Sequence, residues 1–363
     1  MRKWILFFTS ERNQKIIVPF LAVMLGFLVG ALVMLFSGYN PVEAYLALLK
    51  GAGLLGNIKR FGDTLLSMTT LTLTGLSVAF AFRTGLFNIG AAGQMLMGGF
   101  VAVYVGVTLS LPWVVHMLLA VFAAVLTGAL WAFLPGLLKA KFKIHEVVTT
   151  IMMNWIAYWS VYYLVPTYIP GHFNTESIPI KPTATLRVEW LTQLFHGSYV
   201  NIGLFFALAA VVIIWWVMEK TVFGYELKAV GFNGQAAKYA GMKVSRNIIL
   251  SMMIAGGLAG LAGAVFYLGY TDNIKIGVLP SQGFDGIAVA LLGLNNPFGV
   301  ALAAFLFGFM NAGKLFMQSA TAVPNELVPI INAIIIFFAA IYLMIKIWLQ
   351  KIGKRFSEGG GDE

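Results

Sequence analysis

The chain has 363 residues, 60% hydrophobic and only 10% charged, with a mean hydropathy of +0.86 and a net charge of +10. Soluble domains carry about a quarter charged residues, and no single core of this size hides so much apolar surface. The composition therefore excludes a soluble globular protein and implies an all-α bundle in a lipid bilayer. The basic residues fall in short clusters between apolar runs, which is the pattern that orients spans, so nucleic acid is excluded as a partner. There is no cysteine, and the four histidines (His116, His145, His172, His196) are scattered, so disulfides and metal sites are not expected.

In chain order, a basic N-terminus leads into an apolar run over 16–36 with no small-residue cleavage site, which reads as a retained first span. Residues 65–82 form a more polar span, because Thr69, Thr70, Thr72, Thr74 and Ser77 lie in it. Such a helix faces protein, where its hydroxyls bond to backbone. Further spans are expected at 94–111, 113–134, 147–165, 201–218 and 248–268. The segment 283–294 is too short to cross alone and carries Asp285. Residues 297–313 and 327–349 complete a set of about ten spans of roughly 20 residues each. With the N-terminus in the cytoplasm, most of the 24 Lys and Arg fall on the inner side, and both termini are cytoplasmic. An external loop then covers about 166–200, and a longer internal loop about 219–247. Residues 1–350 read as one transmembrane domain and 351–363 as a disordered cytoplasmic tail.

Two nucleotide-site strings fail on context. Gly51 to Gly56 matches GxGxxG, but no strand precedes it and no acidic residue follows at the required distance. Its glycines are read as easing close approach to a membrane helix. Gly308 to Lys314 lacks only the final serine or threonine of a P-loop, with Leu315 in that place. It lies in an apolar run that cannot form strand, loop and helix. No paired carboxylates, Ser-His-Asp set or HExxH string occurs, so no catalytic residue is assigned and energy for active transport comes from elsewhere. His116 reads as an interfacial residue near a span end. Glu146 reads as a helix-start charge beside Lys141 and Lys143. Gly256, Gly257, Gly260 and Gly263 read as a helix-packing face.

Two segments hold the functional signal. In Arg83–Met95, Gly85, Gly90 and Gly93 sit near Asn88 and Gln94 and weaken a continuous helix. This fits a tight loop at the cytoplasmic face and equally a helix break beside a transport path. In Phe223–Val244, Asn233 is a helix N-cap and Gly241 a terminator for a two-turn helix carrying Ala236, Ala237 and Tyr239. A short surface helix of this kind docks into a partner's groove, and an ordinary amphipathic connector fits the same pattern.

Four strings in order, Phe87–Gln94 (FNIGAAGQ), Glu146–Asn154 (EVVTTIMMN), Gly231–Gly241 (GFNGQAAKYAG) and Gly283–Gly293 (GFDGIAVALLG), resemble the permease subunits of ABC importers in the branched-chain amino acid, simple-sugar and nucleoside group. The nucleoside or simple-sugar type is the nearer likeness. One departure is Ala92, where the family usually carries glutamate, which removes an acidic group. The resemblance implies a type II-like importer permease in a bacterial cytoplasmic membrane. It implies pairing with a second permease (a paralogue or a copy of itself), a cytoplasmic ATP-binding subunit and an extracytoplasmic substrate-binding lipoprotein. ATP and magnesium would sit on the ATPase, and no cofactor on this chain. The family's coupling helix maps to Gly231, Asn233, Ala236, Ala237, Tyr239, Ala240 and Gly241.

For a nucleoside, amides that donate and accept at once, together with an aromatic face, make Phe87, Asn88, Gln94 and Asn154 the expected path residues. Asp285 reads either as a cap for its own half-helix or as a path residue. The alternative functions are a permease for simple sugars or branched-chain amino acids, and a secondary carrier working alone. The scarcity of ionisable groups in the spans counts against the last.

Overall fold

A computed structural model describes residues 11–341. The expectations for residues 1–10, for the end of the last span and for the tail at 351–363 lie outside the described residues.

All regular elements among the described residues are helical, with two isolated bridges, Pro170 to Ser177 and Glu176 to Lys275. The helices are α1 (Glu11–Phe36), α2 (Pro41–Gly51), α3 (Ile58–Arg83), α4 (Ala91–Thr108), α5 (Trp113–Phe142), α6 (Glu146–Tyr168) and α7 (Glu189–Leu194). They continue with α8 (Gly203–Lys220), α9 (Val222–Phe232), α10 (Gly234–Tyr239), α11 (Val244–Phe266, extended by a π turn Tyr267–Thr271), α12 (Ser281–Leu292), α13 (Pro297–Thr321) and α14 (Leu327–Ala340). Seven of them, α1, α3, α4, α5, α8, α11 and α13, are long and apolar enough to cross a bilayer. The 23-residue α6 is long enough but less apolar, and α12 and α14 are shorter. The helices α2, α7 and α9 lie in segments that the hydropathy pattern leaves as loops.

The hydroxyl-rich α3 lies at the centre and packs on α8, α11, α12 and α13. Two of its hydroxyls turn back onto carbonyls, Thr69 Oγ1 donating to Leu65 O at 2.6 Å and Thr74 Oγ1 to Thr70 O at 3.2 Å, whereas Thr72 Oγ1 is buried without a partner among the described residues. Helices α5 and α11 meet along a glycine seam. Any side chain on Gly256 or Gly260 would run into the Gly128 or Ala124 carbonyl, and one on Gly263 into Met95 O of α4. Gly257 stands apart, with only ordinary contact to Val125 at 3.4 Å. The rejected P-loop string lies inside α13, where Gly308 abuts the Met68 backbone. Gly51 of the GxGxxG string packs on Gly313, while Gly53 and Gly56 supply the positive φ of the turn into α3.

One end of the bundle gathers the 84–90 loop, the turn at 143–145, the 221–243 segment and the 293–296 turn. The other carries α2, the end of α13 and the 166–200 strap. The strap is stitched to the π turn and to the residue just beyond it: Leu186 N–H donates to Leu268 O at 3.1 Å and Ile180 N–H to Asp272 O at 2.9 Å. Arg187 anchors it, meeting Asp272 at 3.1 Å and lying over the Tyr199 ring.

His116 lies in the first turn of α5, near the span end as expected, and is fully buried, its ring nitrogens 2.8 Å from Thr183 Oγ1 and 3.0 Å from Val105 O. The helix start brings it under the strap, which its sequence position did not reveal. Glu146 pairs with Lys139 at 2.7 Å, not with Lys141 or Lys143. Lys143 turns α5 off through a left-handed conformation (φ 55°), which folds the last turn of α5 back over the start of α6.

Candidate functional site

The site is built at the end of α3. Gly85 takes φ +73°, and Leu86 N–H returns to Ala81 O at 3.0 Å, which closes the helix with a left-handed cap. The chain then re-enters the bundle, and α4 starts only at Ala91. Asn88 Nδ2 donates to Gln94 Oε1 at 2.9 Å while Gln94 Nε2 donates back to Asn88 Oδ1 at 3.0 Å. Asn88 Oδ1 also accepts from Gly90 N–H at 3.1 Å, and its Nδ2 reaches Ser77 Oγ at 3.4 Å. Ser77 lies six residues before Arg83, so the loop reaches back about 9 Å along α3 at 1.5 Å per residue. Asn154, on α6, clamps the start of α4: its Oδ1 accepts from Gly93 N–H at 2.8 Å and its Nδ2 donates to Ile89 O at 3.0 Å.

These contacts change the reading of three path residues. Asn88, Gln94 and Asn154 are buried, and their amides are taken up by one another and by backbone. They hold a broken helix in place, since freed backbone groups away from water need such partners. Phe87 is half-buried and packs on Phe82 with ring centroids 4.9 Å apart. Asp285 lies in the second turn of α12, which starts at Ser281 and has no side-chain cap. It therefore does not cap its helix. It stays half-buried, and Lys314 on α13 is the cation whose charge reaches it.

The 221–243 segment is built by local caps. Thr221 Oγ1 accepts from Gly224 N–H at 3.1 Å and starts α9. Asn233 Oδ1 accepts from Gln235 and Ala236 N–H, both at 3.0 Å, and starts α10. Gly241, at φ +82°, ends it. The N-cap and terminator are those expected from sequence. The exposed faces belong to Phe232 (91%) and Tyr239 (93%), with Ala236, Ala240 and Gly241 beside them. Ala237 turns inward and is buried, so its side chain is packing rather than contact surface.

Gly231 joins the two segments. A Cβ there would lie 2.6 Å from Arg83 O and 2.9 Å from Gly85 N, so the two backbones touch. Arg83 extends the junction: its Nε donates to Asn295 O at 3.0 Å, and its guanidinium is 3.9 Å from Glu219. Glu219 also holds Lys228 at 3.0 Å, and Asn247 Nδ2 donates to Glu226 Oε2 at 2.8 Å. Arg83, Glu219, Glu226 and Asn247 were not singled out from the sequence. Their partners lie up to 212 residues away, and no local spacing marks them. Among the described residues no cluster of His, Asp or Glu could hold a metal ion.

A family model described as branched-chain amino acid transport system / permease component matches residues 61–340. That range takes in the re-entrant loop, the α9–α10 segment and α12. The chain belongs to this family of permease components. It is 44% identical to the guanosine ABC transporter permease protein NupP of Bacillus subtilis, over 95% of this chain and 99% of that one. It is 38% identical to the nucleoside ABC transporter permease protein NupB of Lactococcus lactis, over 94% and 95%. A glucose ABC transporter permease protein of Haloferax volcanii, TsgB13, matches at 32% over 95% and 91%. The permease is thus a multi-pass membrane protein and a transport subunit.

Proposed function

We propose that this permease is one membrane-spanning half of an ATP-driven nucleoside importer in a bacterial cytoplasmic membrane. The near-full-length match to a guanosine permease carries the choice of cargo, since the glucose permease is the more distant of the relatives described. Ten spans fit the chain: the seven apolar helices with α6, α12 and α14. Alternation from a cytoplasmic N-terminus then puts the α9–α10 end inside, on the side that most of the Lys and Arg favour. Residues 1–350 form the permease domain in this reading.

The α9–α10 segment docks into a groove of a cytoplasmic ATP-binding subunit, with Phe232, Tyr239, Ala236 and Ala240 outward. Asn233 and Gly241 fix the ends of α10, and Gly231 seats the segment against the permease. ATP and magnesium belong to that ATPase. A second permease, a paralogue or a copy of this chain, completes the pore, and an extracytoplasmic lipoprotein delivers the solute. Phe87 and Asp285 stay as path residues, whereas Asn88, Gln94 and Asn154 act on the path by holding the loop.

The test is uptake of radiolabelled guanosine, adenosine and cytidine in a strain deleted for this chain. Loss of uptake restored by the gene is expected. Unchanged uptake of all three would sink the nucleoside reading and favour a sugar or branched-chain amino acid cargo. Uptake by the purified chain alone in liposomes without ATP would favour a stand-alone carrier.

A further inference from the structure

Helix α6 spans about 35 Å at 1.5 Å per residue, yet it is not among the helices apolar enough to cross a bilayer. Among the described residues it packs chiefly on α4 and α5, which leaves an outward face. On that face Trp155, Trp159 and Tyr162 are each about half exposed. With Tyr158 they form a run of edge-to-face rings, with successive centroids 5.6, 5.1 and 5.5 Å apart. The rings occupy the middle of the helix. Aromatic residues that anchor a helix in lipid gather at its two interfacial ends instead. The neighbouring α5 gives the contrast: its outward residues include Leu118, Phe122, Leu126 and Leu130, with no polar atom among those side chains. On α5 the indole of Trp131 is satisfied inside the protein by Met153 O at 3.2 Å. A mid-depth row of indole N–H and phenol O–H groups suits water or a polar solute, because lipid satisfies neither.

A second observation puts one edge of the row, at Tyr158, near the start of α12. Helix α12 has 12 residues and rises only about 18 Å, short of the roughly 30 Å hydrocarbon core. Its first turns leave Ser281 and Phe284 exposed and Asp285 half-buried. Gly283 packs on the Ala92 backbone at the start of α4, and Asn154 of α6 clamps Gly93 at the same start. The Tyr158 hydroxyl lies beside Gly277, just before α12. Helices α6 and α12 thus flank one broken helix.

We propose that the aromatic row of α6, with the open start of α12, is this permease's share of the solute passage, and that the flat base of a nucleoside stacks along it. This rests on the nucleoside reading above. Stacking on an aromatic ring is modest per base and tolerates any base, so each ring holds the base weakly enough to pass it on. The ribose hydroxyls donate to the Asp285 carboxylate, which accepts only. A base needs a π-face and a sugar needs acceptors, and the two lie on helices that both meet the start of α4.

The chain has no cysteine, which permits a direct test in the complete transporter, reconstituted in liposomes with its ATPase, second permease and binding protein. Trp159→Cys is treated with a water-soluble thiol reagent, and modification of this chain is read by mass. Modification slowed several-fold by guanosine delivered by the binding protein is expected. A thiol that stays unmodified would place the row against lipid and overturn the proposal. In parallel, Trp155→Leu with Trp159→Leu is expected to cut guanosine uptake at least tenfold, while Trp159→Phe keeps most of it. Wild-type uptake in the leucine variant would overturn the proposal. So would loss of the second permease on co-purification, which would make the row a subunit interface. If the wild-type transporter imports no nucleoside, the nucleoside reading fails and base stacking with it. If it imports guanosine and the variants do so equally, only the row's role fails.

Discussion

The re-entrant loop at 84–94 and the segment at 231–241 have similar compositions, rich in glycine and small residues with two amides each, yet they use them in opposite directions. In the first, every singled-out amide points inward, and donors and acceptors close on each other within about 3 Å. In the second, a single amide caps a helix while two aromatic rings stand almost wholly exposed. The first closes on itself, and the second leaves a face exposed. Composition alone does not tell them apart. What decides is whether the backbone has left its hydrogen bonds open inside the bundle, where side chains must close them, or outside it, where water can.

The comparison breaks most readily where the two segments meet. Gly231→Val puts a branched side chain onto the Arg83 carbonyl, and overpacking of this kind costs about 1–3 kcal/mol. Uptake is expected to fall to background with the protein still in the membrane. Near-normal uptake would mean that the two segments need not touch. Next in size is Asn154→Leu, which strands the buried Gly93 N–H at about 1–3 kcal/mol and frees the part-buried Ile89 C=O. A clear drop in the thermal midpoint of the detergent-solubilised permease is expected, and an unchanged midpoint would refute the clamp.

Phe232→Ala with Tyr239→Ala should do the reverse, leaving the midpoint in place while uptake and ATPase co-purification fall several-fold. Retained co-purification would deny that this surface binds the ATPase. The smallest effect is expected for Gly241→Ala. A left-handed residue with a Cβ costs about 1–2 kcal/mol, here at the frayed end of a six-residue helix. Uptake should drop a few-fold, and Gly241→Asn, which tolerates this conformation, should drop it less.

Much of this is legible in the sequence where the cause is local. Asn233 and Gly241 can be read directly because a cap and a terminator act over two or three residues. The burial of α3 follows from its threonines. The start of α2 also has a local signal, Asn40 before Pro41, with Asn40 Oδ1 accepting from Val42 N–H at 3.0 Å, but hydropathy windows pass over an 11-residue helix. The amides mislead for a different reason. An asparagine that can greet a ribose can equally greet a peptide group, and only tertiary distance says which. Asn154 and Gly93 are 61 residues apart, and nothing in either neighbourhood announces the other. The same holds for Ala237, whose inward turn depends on how α10 lies against the helices above it.

The contact between Gly85 and Gly231 has one more consequence. Two main chains meet there with no rotatable bond between them. A long side chain at such a junction would absorb a small push by changing rotamer, as a slack joint does. Here no side chain stands between the two chains to take up the play, so motion of α9 passes to the re-entrant loop with little loss.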